Sequence, residues 1–187
     1  RIDRSANAYR VVHAEGDDLP GLVVDRLGDV LVCEHHALGF WRWRAGVAEG
    51  LAELYPGFEV LHRVPSAAPR NEGFEAPDPG GREVWIEEHG LHYPVLAAAG
   101  HKTGWFCDQR ENRRSVGLLA EGREVLDLFC NAGGFALHAR RAGARRVVAV
   151  DLDEKVLARA AQAAQRNALE VELVHADAYQ QLRQVRA

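Results

Sequence analysis

The stretch Val125-Leu126-Asp127-Leu128-Phe129-Cys130-Asn131-Ala132-Gly133-Gly134-Phe135-Ala136 decides the fold of this chain. It starts as a short apolar strand and breaks into a small-residue loop at Asn131-Ala132-Gly133-Gly134. It resumes as a helical pattern through Phe135, Leu137 and His138. A strand that feeds a glycine loop and then a helix sets backbone N–H groups at the carboxyl edge of a sheet. Glycine suits that loop because a side chain would keep a ligand from the main chain. A second strand, Arg146-Val147-Val148-Ala149-Val150, ends in Asp151. A carboxylate there can accept both hydroxyls of a ribose. The pattern is a nucleotide-binding β-α-β unit.

Working outward, the periodicity predicts a strand over 124–129, a helix over 134–142, a strand over 146–150 and a helix over 153–167. Val171-Glu172-Leu173-Val174-His175 is a third strand, followed by Asp177 and a last helical piece from Tyr179 to Arg186. A helix from Asp108 or Gln109 to Leu119 precedes the unit. Open nucleotide-binding sheets usually hold roughly five to seven strands. With three parallel strands and no methionine in 187 residues, the chain is expected to be a fragment of a longer protein.

The N-terminal half has a different rhythm. Tyr9 to His13, Leu22 to Asp25, Val30 to Glu34 and Phe58 to Val64 read as strands. Phe40 to Tyr55 reads as one helix, with Trp43, Val47, Leu51 and Leu54 on its apolar face and Pro56-Gly57 as its stop. Pro65 to Arg82 reads as a loop. Glu83 to Glu88 and Leu91 to Leu96 form a hairpin about His89-Gly90. Residues 1–96 are thus a central α+β module of strand-strand-helix-strand-strand (EEHEE-like) type with an extra first strand. Residues 97–187 are the N-terminal, incomplete part of a Rossmann-like domain. The fold class is α/β.

Hydrophobic residues make up 47% of the chain, enough for a core, and no apolar run is long enough for a membrane helix. No signal-peptide pattern is present, so a cytoplasmic location is expected. Three widely separated cysteines, Cys33, Cys107 and Cys130, suit a reducing compartment and argue against a disulfide framework or a zinc site. His89 and His92 flank a turn with no third ligand nearby, so no metal is assigned. The net charge of −4 gives no global pull toward nucleic acid. The arginines cluster, however, at Arg110, Arg113 and Arg114, and at Arg140, Arg141, Arg145 and Arg146. Such clusters can contact phosphate or can be solvated helix faces. Arg113, Arg140 and Arg141 are the expected RNA contacts.

A nicotinamide dinucleotide would call for G-x-G-x-x-G; this loop has two adjacent glycines followed by bulky Phe135. Asp127, Asp151 and Asp177 stand at successive strand ends. S-adenosylmethionine (SAM) carries a sulfonium and an ammonium and no phosphate, so it suits an acidic site better than a pyrophosphate does. Each carboxylate also has a plainer reading, as a turn former or helix cap.

With these residues in view the chain resembles the RlmI-type SAM-dependent methyltransferases, which modify carbon 5 of cytosine in large-subunit ribosomal RNA. The resemblance runs from about Asn7 to the end. It rests on Tyr9-Arg10-Val11-Val12-His13-Ala14-Glu15, Leu19-Pro20-Gly21-Leu22-Val23-Val24-Asp25-Arg26 and Ile86-Glu87-Glu88-His89-Gly90. It continues through Gly100-His101-Lys102-Thr103-Gly104, Asp108-Gln109-Arg110 and Asp127-x-Phe129-x-x-x-Gly133-Gly134-Phe135.

The resemblance implies that Phe129, Asn131, Gly133 and Gly134 line the methionine end of SAM with Asp127 close by. Asp151 would hold the ribose and Asp177 the adenine. Lys102, Thr103, Gly104 and Gln109 would close over the cofactor or touch the target nucleotide. It further implies ribosomal RNA as partner, with a homodimer as an admissible assembly. Carbon 5 of cytosine becomes nucleophilic only after a thiolate attacks carbon 6. In the family that cysteine lies beyond the third strand, so no catalytic residue is assigned here and the chain by itself is expected to be inactive. A binding module without catalysis is the alternative, with a nicotinamide oxidoreductase behind it.

Overall fold

The computed structural model describes residues 6–74, 76–99 and 102–185. They fall into two compact units, one of 1–86 with 95–108 and one of 87–94 with 109–187.

In the first unit, strands β1 (Ala8–His13), β2 (Leu22–Leu27), β3 (Val30–His35) and β4 (Glu59–Arg63) form a sheet in that order. β1–β2 and β2–β3 are antiparallel, while β3–β4 is parallel. The parallel pair follows from the helical connection between them, since a tight hairpin can join only antiparallel neighbours. β2 and β3 run closer together than their sequence suggests. Leu27 pairs with Val30, so only Gly28 and Asp29 make the turn. Gly28 is required there: its φ is +63°, and a Cβ would lie 2.9 Å from the carbonyl oxygen of Trp85.

The connection is not one helix but two, α1 (Leu38–Arg42) and α2 (Arg44–Leu54), broken at Trp43. The apolar face shifts accordingly. Phe40, Val47 and Leu51 pack on Leu22, Val24, Leu31 and Cys33, whereas Trp43 is 65% exposed and Leu54 is 74% exposed. The stretch expected to be a loop contains a further short helix, α3 (Ala67–Glu72), closed by Gly73 at φ +67°. Gly73 donates to the Pro69 carbonyl, a left-handed C-cap.

Strands β5 (Arg82–Glu88) and β6 (Leu91–Ala97) form a two-stranded hairpin. His89 and Gly90 both have positive φ, the conformation that a two-residue hairpin turn of type I′ needs.

The second unit is an open parallel sheet of β7 (Glu124–Leu128), β8 (Arg146–Asp151) and β9 (Glu172–His175). Its helices are α4 (Arg110–Leu118), α5 (Gly134–Arg141), α6 (Glu154–Arg166) and α7 (Ala178–Val185). Ala136, Ala139, Ala144, Ala149 and Cys130 fill its core around Val147 and Leu157. Gly117 shows how closely α4 and α5 approach: a Cβ there would lie 3.0 Å from the His138 carbonyl oxygen. Small side chains make that approach possible, as in any close-packed interior.

An ion pair is buried in this unit. Arg113 of α4 donates two 2.6 Å hydrogen bonds to Glu88, and both side chains are almost wholly buried. His138 of α5 lies 3.4 Å from the same carboxylate. Burial holds the His138 imidazole below its ordinary range, against the pull of Glu88. Arg113 therefore is not on a solvated basic face. The reading of Arg113 as an RNA contact is corrected: an unpaired guanidinium cannot be buried, and this one has its partner 25 residues away. Arg140 and Arg141 also have internal acceptors, the carbonyls of Ala144 and His89. Arg145 and Arg146 pair with Glu124 and Glu172.

Candidate functional site

The loop after β7 is built from left-handed turns. Phe129, Asn131 and Gly133 have φ of 58°, 51° and 76°. Asn accepts this conformation readily and glycine without cost, but a bulky aromatic does not. Such backbone strain persists only where the surroundings impose it, and it clusters at ligand sites. Here it leaves the Phe129 ring 63% exposed at the end of the sheet.

Carboxylates at the strand ends hold the loop and the helix starts around it. Asp127 accepts from the Ala136 amide in the first turn of α5 at 3.0 Å, satisfying a donor that the helix cannot. Asp151 accepts from the Asn131 amide at 2.9 Å and from the Asp153 amide at 3.1 Å. Asn131 in turn accepts from the Ala132 amide. The N-cap of α6 is Asp153, which accepts from the Lys155 amide at 2.8 Å. That settles one ambiguity: Asp151 is not the cap. A carboxylate has about four lone-pair positions, so two bonds leave Asp151 room to accept more. Asp177 does cap, accepting from the Gln180 amide at 3.0 Å in the first turn of α7.

Gly133 has a packing reason to be glycine besides the one its motif suggests. Its φ is positive, and a Cβ would meet Ala160 of α6 at 3.2 Å and Leu137 at 3.3 Å. The left-handed backbone and the close helix packing both favour glycine there.

The electrostatics favour a cation. Burial pushes the Asp127 carboxyl up to about 6, and the nearby Asp151 charge adds to the shift. A pyrophosphate would worsen that repulsion, whereas an ammonium or sulfonium would relieve it. Because folding raises this pKa, Asp127 favours the folded state fully below its ordinary value of 3.8. That contribution is lost as pH rises through 6. Asp127→Asn keeps an acceptor for the Ala136 amide and removes the buried charge. The variant is expected to be more stable than the parent at pH 7.5 by up to about 3 kcal/mol, with the gap closing toward pH 4. Thermal unfolding across that pH range checks it; a constant gap contradicts it.

Each acid is followed within two residues by an exposed apolar side chain: Phe129 after Asp127, Leu152 after Asp151 and Tyr179 after Asp177. The Phe129 and Tyr179 rings meet edge to face with centroids 6.3 Å apart. Leu152 and Tyr179 were not singled out from the sequence. The repeated acid-then-apolar spacing after each strand is the signal that could have found them. Cys130 is buried beneath the loop, and its thiol is pushed up to about 12 by burial and by Asp127 and Asp151. It is unsuited to attack.

The structure thus brings Asp127, Phe129, Asn131, Gly133, Gly134, Asp151 and Asp177 to one edge of the β7–β9 sheet. The remaining candidates have other surroundings. Thr103 is buried in the first unit and donates to Asp25 at 2.6 Å; Asp25 also receives two bonds from Arg10. Gly104 has φ +124°, and a Cβ there would lie 2.4 Å from the Leu96 carbonyl oxygen. Lys102 pairs with Asp108 and lies over the Phe106 ring. Gln109 accepts from Asn112 in the second unit. Gly100 and His101 lie outside the described residues.

A family profile described as "Methyltransferase domain" matches residues 125–186. A ribosomal RNA large subunit methyltransferase I from Shewanella denitrificans is 36% identical, over 98% of this chain and 49% of the relative. The chain therefore spans about half the length of that relative. A solved structure described as a SAM-dependent methyltransferase from Streptococcus mutans superposes with a TM-score of 0.81 at 26% identity, over 98% of this chain and 50% of that one. A second solved methyltransferase, complexed with S-adenosylhomocysteine, gives 0.82 at 26% identity, over 98% and 49%. The architecture of the second unit is that of a Rossmann-like class I methyltransferase sheet.

Proposed function

We propose that this chain, related over nearly its whole length to ribosomal RNA large subunit methyltransferase I, binds SAM at the β7–β9 edge in the service of RNA methylation. The observation that carries the reading is Asp151, which ends β8, braces the glycine loop and leaves the capping of α6 to Asp153. A ribose diol can use its spare lone pairs. Asp127 and the 129–134 loop then face the methionine end, with its two cationic groups. Leu152 and Tyr179 offer an apolar surface for the adenine, with Asp177 at its edge. When bound, SAM supplies the electrophilic methyl group; the residues here orient it and balance its charge.

The finer reading is methylation of carbon 5 of a cytosine in large-subunit ribosomal RNA, in the cytoplasm. No helix among the described residues is long and apolar enough to cross a membrane. We assign residues 1–96 to the central module and 97–187 to the N-terminal part of the methyltransferase domain. Methylation at carbon 5 needs a thiolate, and Cys33, like Cys130, is buried with its thiol pushed up to about 12. These thiols do not supply it.

Incubation of the 187-residue chain with methyl-labelled SAM and ribosomal RNA tests this division of labour. Retention of SAM with background transfer is expected. Transfer that vanishes in Cys130→Ser would make Cys130 the nucleophile, and transfer that persists without it would mean another reaction. Retention of NAD in place of SAM would overturn the cofactor.

A further inference from the structure

With the expected arginines committed to internal partners, the question is where an RNA strand could rest. In the first unit, the segment Phe40-Trp41-Arg42-Trp43-Arg44 spans the break between α1 and α2. Trp43 is 65% exposed, so its indole is open to a partner. Its ring lies over Gly46: a Cβ there would come within 2.8 Å of the indole. The glycine thus lets the ring lie against the helix with its outer surface open.

The arginines around it have no ion-pair partner among the described residues, although the Glu72 carboxylate accepts from the Leu38 amide at the start of α1. Arg42 is exposed and has neither ion pair nor hydrogen bond among the described residues. Arg44 donates to the Trp41 carbonyl at 2.9 Å, and its guanidinium stands over the Trp41 ring at 4.5 Å, with no carboxylate partner among the described residues. Arg70, on the α3 helix that packs against α1, donates to the Ser66 carbonyl and has no ion pair among the described residues. By contrast Arg10, Arg63 and Arg82 of the same unit are each paired with an acid. Glu49 and Glu53 lie further along α2 and the Glu72 carboxylate lies at the start of α1, which confines the positive patch to the junction at Trp43.

We infer that the α1–α2 corner, with Trp43 as a stacking platform and Arg42 and Arg44 as phosphate contacts, is a docking surface for single-stranded RNA. An open indole stacks on any base, and interleaved guanidiniums neutralise the backbone beside it. A protein partner would have to bring its own acidic surface to three unpaired arginines, whereas a nucleic acid supplies an anion at every residue. The inference rests on the RNA methyltransferase reading for its partner class, and it places that contact away from the cofactor loop in sequence.

The test is the affinity of the chain for a short single-stranded RNA of mixed sequence, measured over a salt series, with S-adenosylhomocysteine affinity measured in parallel. Trp43→Ala is expected to weaken RNA binding roughly 5- to 150-fold. Trp43→Phe, which keeps a stacking ring, is expected to retain most of it. Arg42→Ala and Arg44→Ala should each reduce the salt slope by about 0.7. The cofactor affinity of all four variants should equal that of the parent. Unchanged RNA affinity in Trp43→Ala, or no RNA binding by the parent, overturns the inference while intact cofactor binding leaves the SAM site standing. Self-association of the parent that Trp43→Ala abolishes, without an effect on RNA, would make the corner an interface between copies and also overturn it. Loss of cofactor binding by the parent itself would instead count against the functional reading.

Discussion

Asp151→Ala is expected to weaken S-adenosylhomocysteine binding roughly 30- to 150-fold, the equivalent of two charge-assisted hydrogen bonds to a ribose. Asp153→Ala should leave binding unchanged and cost about 1 kcal/mol of stability, the usual effect of a lost N-cap. The two acids are two residues apart and similarly placed in sequence, which makes them a controlled pair. Their structural roles differ: one braces the loop through Asn131, the other caps α6 through Lys155. Because Asp151→Ala also frees the Asn131 and Asp153 amides, Asp151→Asn belongs beside it, keeping one acceptor for the loop. Calorimetry on folded protein reads the affinities. Equal affinity in Asp151→Ala and Asp153→Ala would remove Asp151 from the site.

Arg113→Met is expected to destabilise the second unit by about 3–5 kcal/mol, the largest effect on stability foreseen for any arginine here. The loss is not the pair's net strength. It is the cost of leaving the Glu88 carboxylate buried without its guanidinium partner. The double variant Glu88→Leu with Arg113→Met should recover most of that loss, because two well-packed apolar side chains can replace a buried pair. Urea unfolding of the parent, both single variants and the double variant measures the coupling. Additive losses would mean that the two groups do not depend on each other. The same Arg113→Met variant should leave the salt dependence of RNA binding untouched.

The β-α-β core of the second unit was legible because its signals are local. An apolar strand, a glycine loop and a helical period lie within a dozen residues, and the three acids follow from strand ends. What was not legible depended on distant partners. Arg113 in the run Arg110-Glu111-Asn112-Arg113-Arg114 looks like one cation among several on a wet helix. Only the fold brings it to Glu88. Trp43 fits the apolar period of a continuous helix, yet the helix parts there and its ring is exposed while Phe40, Val47 and Leu51 pack on the sheet. Thr103 sits in a motif that suggests ligand contact, yet its hydroxyl is spent on buried Asp25, 78 residues away in sequence. Asp151 has a plainer reading as the cap of the helix that follows it, and only the hydrogen bonds of the fold show that Asp153 holds that place.

The claim at the centre of this account is that SAM or its product occupies the edge formed by 129–134, 151–152 and 177–179. Amide hydrogen exchange with and without S-adenosylhomocysteine tests it most directly. The account predicts slowed exchange in the 129–134 loop and at the strand ends after Asp151 and Asp177, absent with NAD. Protection confined to the amino ends of β8 and β9, around Arg140, Arg145, Arg146 and Glu170, or no protection at saturating ligand, would contradict it.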